Sequence, residues 1–86
     1  MQYFVYLIVA KNKNNNFTSY VGYTSDIKKR LILHNSSKGA KFTRGRFWEL
    51  AYSKIYKTKS IALSEEYKLK KNIKLRNYIK KNFIKK

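Results

Sequence analysis

The chain contains no cysteine and no proline, and only three of its 86 residues are glycine. The absence of cysteine excludes disulfide bridges and thiolate zinc sites, and it leaves the redox compartment undetermined. No apolar run is long enough to span a bilayer. The first ten residues are too short for a secretory signal and lack its basic start. We therefore expect no membrane contact and a cytoplasmic protein, free or associated with the nucleoid.

Acidic residues are also scarce. Asp26, Glu49, Glu65 and Glu66 stand against 21 lysines and arginines, which gives a formal net charge of +17. Such a surplus favours a polyanionic partner, through long-range attraction and the release of condensed counterions. An A/T-rich coding sequence would explain why lysine outnumbers arginine, but it would not explain the shortage of acids. The charge therefore favours nucleic acid as the partner.

The size of the chain predicts one domain over residues 1–86, because this length leaves no room for two cores. Hydrophobic residues make up 43% of the chain and aromatic residues 16%, which excludes a disordered basic tail. We expect residues 80–86 to fray, because only Phe83 and Ile84 are available there as anchors.

Hydrophobic patterning predicts three strands, over residues 2–10, 18–24 and 48–56, with a hairpin turn at residues 11–16. In the third strand, simple alternation puts Leu50 and Tyr52 on the face opposite to Ala51 and Ser53. Helices are predicted up to about residue 35, over residues 61–72, and from there to residue 83. The order β-β-α-β-α-α predicts an α/β (α+β) sandwich, a small three-stranded sheet flanked by helices.

Two sets of residues are candidate helix caps. Thr24, Ser25 and Asp26 precede the first helix, and Ser60 precedes the second. Their side-chain oxygens can accept hydrogen bonds from the free N–H groups of a first helical turn. The sequence leaves the choice among the first three open.

The second helix carries one unexpected carboxylate. Ala62, Glu66, Leu69 and Ile73 fall at i, i+4, i+7 and i+11, which is one stripe of a helix, so Glu66 is predicted to point inward. The simpler alternative is a carboxylate at the edge of the stripe, paired with a lysine. A truly inward carboxylate needs a counter-charge, which a divalent cation would supply.

The first helix places Arg30 and His34 one turn apart, on one face with Ile27 and Leu31. Arg30 either lays its stem on the edge of the core or grips a phosphate with its planar fork. A single histidine is weak evidence for a site. Most strand tyrosines pack in the core, but Tyr6 and Tyr20, on paired strands, can direct both hydroxyls to one face.

A basic loop follows the first helix. Aromatic residues are interleaved with its four cationic residues, Lys38, Lys41, Arg44 and Arg46. This pattern suits contacts to a nucleic-acid backbone with stacking on the aromatic rings, and a solvated loop is the equally simple alternative.

Together these motifs resemble the GIY-YIG nuclease domain, in the small single-domain branch related to the structure-selective nuclease subunit that processes branched DNA. Phe4-Val5-Tyr6 stands where the GIY triplet would be, and Tyr20-Val21-Gly22 where YIG would be. The resemblance runs in one order from residue 3 to residue 72. It also covers Arg30 to Asn35, Lys41 to Arg44, Trp48 to Leu50, Ala62 to Glu66, and Lys70-Lys71.

This resemblance implies a Mg²⁺-dependent endonuclease, with Mn²⁺ as an alternative metal. Tyr6, Tyr20, Arg30 and His34 would be its catalytic residues, and Glu66 would hold the metal. The chain departs from the family pattern at Phe4, which replaces the glycine of GIY, and at Phe47, where relatives often carry proline. The asparagine-rich hairpin is a further departure. Asn72 and Asn77 are both candidates for the asparagine that some members take from the last helix.

Other functions remain open from the sequence. A binding module that kept the fold and lost turnover would have no reason to retain all five site residues. A ribosome-associated or RNA-binding structural protein would explain the charge but not an inward glutamate. DNA is the expected substrate, with RNA as the alternative polyanion. Selectivity would come from substrate shape, a protein partner or self-association, because no second domain is predicted.

Overall fold

The computed structural model of the protein describes residues 2–12, 14, 16–39 and 41–84. They form a three-stranded antiparallel sheet and three helices in the order β-β-α-β-α-α, which confirms the predicted fold class. The elements are β1 Tyr3–Lys11, β2 Phe17–Thr24, α1 Ile27–Asn35, β3 Glu49–Tyr56, α2 Lys59–Lys71 and α3 Ile73–Ile84. A short 3₁₀ turn, Lys41–Thr43, lies between α1 and β3.

The central strand is β1, in the strand order β2-β1-β3. Its residues 5–10 are all buried, because both faces of the sheet are covered. On one face, here the α2 face, the core consists of Val5, Leu7, Val9, Val21, Ala62 and Leu69. On the opposite face, here the α1 face, the core consists of Tyr6, Ile8, Ala10 and Trp48, with Tyr20 and Leu31 packed against it. A strand buried on both faces reads as an apolar run, and Phe4 to Ala10 is such a run.

The alternation predicted for the third strand is wrong at its beginning. Leu7 pairs with Tyr52 while the next residue, Ile8, pairs with Leu50, so Ala51 is an extra residue in β3. This β-bulge sends Leu50 and Tyr52 to opposite faces of the sheet, where simple alternation gave them the same face.

The helix boundaries follow from their caps. Of the three candidates before α1, Asp26 is the cap, and its carboxylate accepts from the N–H of Lys29 at 3.1 Å. The cap of α2 is Thr58, which accepts from the N–H of Ile61 at 3.2 Å, and not Ser60 as predicted. The helix therefore begins two residues before the predicted start. In the described part of the chain, no helix combines the length and apolar character needed to span a bilayer.

The predicted stripe of α2 ends earlier than expected. Asn72 interrupts the helix, and its side-chain oxygen accepts from the N–H of Leu75 at 3.1 Å to begin α3. Ala62 and Leu69 are buried as predicted, but Ile73 belongs to α3 and is 61% exposed. The prediction for Ile73 is wrong, because the chain changes direction at Asn72. α3 continues to Ile84, and residues 85 and 86 of the segment expected to fray lie outside the described residues.

The loop between α1 and β3 is fixed to both elements by hydrogen bonds. The Asn35 side chain donates to the carbonyl of Trp48 at 3.0 Å and accepts from its N–H at 2.5 Å. The indole N–H of Trp48 donates to the carbonyl of Thr43 at 2.9 Å. Trp48 is buried on the α1 face, so these bonds hold the loop over that face of the sheet.

Candidate active site

The position of the Tyr6 ring depends on the residue beside it in β2. Tyr6 pairs with Gly22, and a Cβ on that glycine would lie 2.7 Å from Tyr6 Cζ and closer still to the hydroxyl oxygen. Only a residue without a side chain leaves room for the ring to cross β2 at this point. The glycine of the Tyr20-Val21-Gly22 motif therefore lets the Tyr6 side chain reach across the neighbouring strand.

The Tyr6 hydroxyl is the first member of a buried chain of hydrogen bonds. Its oxygen lies 2.8 Å from Nε2 of His34, and Nδ1 of His34 lies 2.9 Å from the hydroxyl of Thr43. His34 and Thr43 have no exposed surface, and Tyr6 is 2% exposed. Gly39 lies against the same imidazole, where an added Cβ would come within 3.0 Å of Cε1. The loop that follows α1 thus encloses the histidine and fixes its ring orientation.

Burial controls the protonation of this chain. It lowers the pKa of His34, and the positive charge of Arg30 lowers it further, so the imidazole is neutral at pH 7. Burial likewise raises the pKa of Tyr6. The Arg30 guanidinium opposes that rise, whereas Tyr20 and Glu66 add to it. Two of the predicted catalytic side chains and the predicted metal ligand therefore all influence the pKa of Tyr6.

Tyr20 lies in an aromatic cluster on the α1 face. Its ring meets that of His34 edge-on at 5.4 Å between centroids and stacks with Phe42 at 6.1 Å. Trp48 contacts the Tyr20 ring edge-on at 6.4 Å. Tyr20 is partly exposed, in contrast to Tyr6. The cluster restricts the Tyr20 ring while its surroundings stay open to solvent.

Arg30 lies on the buried side of α1 and is partly exposed. Its Nε is buried and has no hydrogen-bond partner among the described residues. Because a buried donor without a partner loses the hydrogen bond that water would give it, an acceptor brought in by a ligand would be favourable there. The placement fits the phosphate-gripping alternative at least as well as the packing one.

Glu66 approaches the same region from α2. Its side chain is 15% exposed, so it is mostly buried as predicted, and its Oε2 lies 3.6 Å from Nζ of Lys70. Glu65, by contrast, is more exposed and pairs with Lys68 at 3.1 Å. The lysine pairing considered as an alternative for Glu66 is thus present, but at a distance longer than a good charge-assisted hydrogen bond. Lone pairs of this carboxylate remain available to a further ligand.

The structure brings the five predicted residues together in two layers. Tyr20, Arg30 and Glu66 are partly exposed around the crossing of Tyr6 over β2, while Tyr6 and His34 are buried behind them. His34 has no exposed surface, so its imidazole cannot hold a phosphate directly. Asn72 caps α3 and lines a cleft on the β3 side, so it does not join this group. Asn77 is exposed on α3.

The four cationic residues of the basic loop are exposed, while the loop itself contacts the candidate site through Phe42 and Thr43. Arg46 is engaged within the protein, because it donates to Asn12 at 2.6 Å and lies 5.6 Å above the Phe42 ring. Arg44 and Arg46 line an open groove of about 630 Å³, whose other lining residues are Lys11, Asn12, Asn14, Gly45 and Phe47. The hairpin between β1 and β2 thus forms the second wall of a basic groove.

Sequence reasoning did not assign a role to Thr43. The residue is buried and lies within hydrogen-bonding distance of His34, nine positions earlier in the chain. In the sequence, Thr43 lies inside the Lys41-Phe42-Thr43-Arg44 motif, whose charges indicate contacts to nucleic acid and not a hydrogen bond to His34. A contact that depends on how a loop folds back over a helix has no periodicity from which to predict it.

Comparison with known proteins gives three findings. A family model described as the GIY-YIG catalytic domain matches residues 2–80. A UPF0213 protein from Staphylococcus epidermidis (strain RP62A) is 44% identical over 70 residues, 80% of each chain, and one from Streptococcus pneumoniae (strain R6) is 35% identical over 85 residues, 95% of this chain and 84% of that protein. The solution NMR structure of a UPF0213 protein from Bacillus halodurans is 37% identical, with a TM-score of 0.41 over 81% of this chain and 71% of that chain. The residues matched by the family model include all three strands and all five candidate site residues.

We predict that His34 makes the folded state sensitive to mild acid. The unfolded chain gains a proton near the ordinary pKa of 6.5, whereas the folded chain, with its lowered pKa, gains it only at lower pH. The free energy of unfolding should therefore be fully retained above pH 6.5 and fall as the pH drops below it. Urea denaturation between pH 7.5 and 5.0 measures this slope. His34→Gln should be less stable at pH 7.5 but show a flatter pH dependence, and equal slopes in the two proteins would contradict the assignment.

Proposed function

The chain belongs to the GIY-YIG catalytic domain family, and we propose that it is a metal-dependent endonuclease that hydrolyses phosphodiester bonds in DNA. The observation that carries this proposal is geometric. The Tyr6 ring crosses β2 at Gly22, and its hydroxyl lies 2.8 Å from His34, whose ring contacts Tyr20. Arg30 and Glu66 are close enough for their charges to act on the same hydroxyl. The net charge of +17 supports a polyanionic substrate. We further propose that the protein acts inside the cell on branched DNA, in repair or recombination.

Glu66 is the residue that would hold the metal. In the described residues, no group of three or more His, Cys, Asp or Glu side chains is close enough to form a complete site. A single, mostly buried carboxylate fits Mg²⁺, which keeps several waters and is often held by one or two carboxylates together with substrate phosphates. Mn²⁺ would suit the same oxygen ligands. When bound, the metal would offset charge that develops on the scissile phosphate and its leaving oxygen.

Arg30 would hold the scissile phosphate from the opposite side. Its buried Nε lacks a partner among the described residues, and a guanidinium can donate two parallel hydrogen bonds to phosphate oxygens. Negative charge on those oxygens grows in the transition state, where a fixed positive charge stabilises it most. Arg30 is anchored on α1, so its position does not depend on a mobile loop.

The two tyrosines have different environments, which supports different roles. The raised pKa of buried Tyr6 makes its hydroxyl a poor base at neutral pH. Tyr20, partly exposed beside it, is the better candidate to accept a proton from the attacking water, directly or through a second water. Tyr6 would orient that water, and neutral His34 would fix the direction of the Tyr6 hydroxyl through their 2.8 Å contact.

The basic groove would bind the nucleic acid outside the reacting centre. Arg44 and Arg46 line the groove, and Arg46 is held in place by Asn12 and Phe42. Lys38 and Lys41 are exposed on the same loop outside the groove lining. Phe47 is 71% exposed at the rim of the groove, where an unpaired base could stack on it. A substrate with both a backbone and accessible bases, such as a branched or partly single-stranded DNA, fits these features best.

We predict that Glu66→Ala abolishes nicking of supercoiled plasmid in the presence of Mg²⁺. The matched control is Glu65→Ala, which removes the neighbouring carboxylate and also releases one lysine, and which should nick within about twofold of the wild type. DNA binding by Glu66→Ala should be unchanged or tighter, because the cleft becomes more positive. Wild-type nicking by Glu66→Ala at saturating Mg²⁺ would refute the role of Glu66. A wild-type protein that binds DNA but never nicks it would instead identify an inactive binding module.

We predict that Arg30→Lys lowers kcat by about 100-fold, because lysine keeps the charge but loses the planar fork. The reciprocal exchange Lys29→Arg, on the exposed side of α1, should leave kcat unchanged. Single-turnover cleavage of a labelled oligonucleotide at saturating protein separates this step from binding. An Arg30→Lys protein that cleaves at the wild-type rate would limit Arg30 to a contribution of charge.

We predict that the basic loop controls affinity and not the cleavage step. Replacing Lys38, Lys41 and Arg44 together with glutamine should lower the log–log salt dependence of duplex binding by about one unit for each phosphate that the loop no longer neutralises. The control is the same change at Lys57, Lys59 and Lys74, which are exposed and outside the loop. Equal reductions in the two triple variants would mean that only net charge matters.

Labelled DNA and RNA of one sequence, compared in the same titration, identify the preferred substrate.

A further inference from the structure

A second, smaller cleft lies beside the candidate active site, at the open edge of β2. It has a volume of about 200 Å³ and is lined by Ser19, Tyr20, Val21, Lys70 and Arg76. Tyr20 is shared with the candidate site, and Lys70 follows Glu66 by one turn of α2. None of the roles described above involves Arg76, one of only four arginines in the chain.

The backbone of β2 offers hydrogen-bond donors to this cleft. Asn12 N–H donates to Asn16 O, so residue 16 directs its backbone groups toward β1. Backbone direction alternates along a strand, which turns residues 17, 19 and 21 to the open edge. The carbonyl of Phe17 does accept from Lys80 of α3 at 3.2 Å, on that open side. The N–H groups of Ser19 and Val21 therefore point away from β1, on the side where the cleft lies.

The charged side chains of the cleft are both cationic. The Nε of Arg76 is buried and has no hydrogen-bond partner in the described part of the chain. Lys70 is half exposed, and its 3.6 Å contact with Glu66 leaves donor capacity unused. The carbonyls of Ser19 and Val21 face the same edge, so the two cationic side chains supply the attraction for an anion with several oxygens, and the two outward N–H groups are additional donors. Phosphate meets that description.

The distance from the candidate active site suggests which phosphate this is. Lys70 Nζ lies 3.6 Å from Glu66 Oε2, and Tyr20 lines both the cleft and the candidate active site, so the cleft adjoins the position of the scissile phosphate. We propose that Arg76 and Lys70, with the N–H groups of Ser19 and Val21, bind a second backbone phosphate of the strand whose scissile phosphate lies at Glu66 and Arg30. This rests on the proposed nuclease function. The substrate strand then follows the open edge of β2, between the sheet and α3.

The test compares Arg76→Gln with Lys74→Gln, which removes the same charge from an exposed position of the same helix. Binding of a fluorescein-labelled oligonucleotide is measured in EDTA, so that no cleavage is needed. Arg76→Gln should bind about tenfold more weakly, the reduction expected for one charge-assisted hydrogen bond, and its salt dependence should fall by about one unit. Lys74→Gln should change affinity by less than about threefold. Circular dichroism establishes that both variants are folded.

Methylphosphonate substitution supplies a second measurement that does not depend on a variant's folding. Neutralising each linkage in turn should reveal one linkage, next to the cleaved one, whose neutralisation weakens wild-type binding about as much as Arg76→Gln does. Arg76→Gln should be insensitive to that same linkage. A site for a free anion would leave the two proteins equally sensitive at every linkage, which would overturn the proposal.

The failure of this proposal can be distinguished from the failure of the nuclease function. A protein that nicks plasmid, but in which Arg76→Gln binds like Lys74→Gln, keeps the function and loses the second phosphate site. A protein that never nicks, but in which Arg76→Gln alone relieves the sensitivity to one neutral linkage, keeps the phosphate site as part of a binding module.

Discussion

The arrangement of the site depends on the close approach of the Tyr6 ring to the backbone at Gly22. Any larger residue at this position of β2 would occupy the space that the ring takes. Because the ring can cross there, its hydroxyl contacts an imidazole from α1. The charges of a guanidinium from α1 and a carboxylate from α2 also shift its pKa. Residues of α1 and α2, which are far apart in the sequence, thus act on one oxygen atom of β1, and the absence of a side chain at Gly22 makes this geometrically feasible.

On one side of that oxygen the residues are buried and uncharged, and on the other side they are partly exposed and include charged groups. His34 stays uncharged because burial and the nearby guanidinium both oppose its protonation. A buried, charged imidazole next to the Arg30 guanidinium would add repulsion in a low-dielectric environment. The neutral imidazole avoids that cost and still provides two directional contacts, one to Tyr6 and one to Thr43. The charged groups remain where a phosphate and a hydrated cation can approach them.

Local patterns in the sequence were sufficient to predict the elements and their order, because periodicity and capping act over a few residues. They also indicated that Glu66 is turned inward, since Ala62 and Leu69 flank it on the same stripe. The prediction was wrong where distant parts of the chain decide the outcome. The bulge at Ala51 depends on how β3 pairs with β1, and the break at Asn72 ends a pattern that the side chains would have continued to Ile73. The contact of Thr43 with His34 depends on a loop closing over a helix, which leaves no trace in local composition.

The open edge of β2 has a consequence for how copies of this protein meet one another. An exposed strand edge with unpaired N–H and C=O groups is a template on which a second chain can add a strand and begin aggregation. Here Lys70, Arg76 and Lys80 lie along that edge. Two such edges carry like charges and repel each other, so the cations that suit a polyanion also act as gatekeepers against self-assembly. Cationic side chains of α2 and α3 thus guard this strand edge in place of a further strand, which a chain with few acids can do without weakening its attraction for a polyanion.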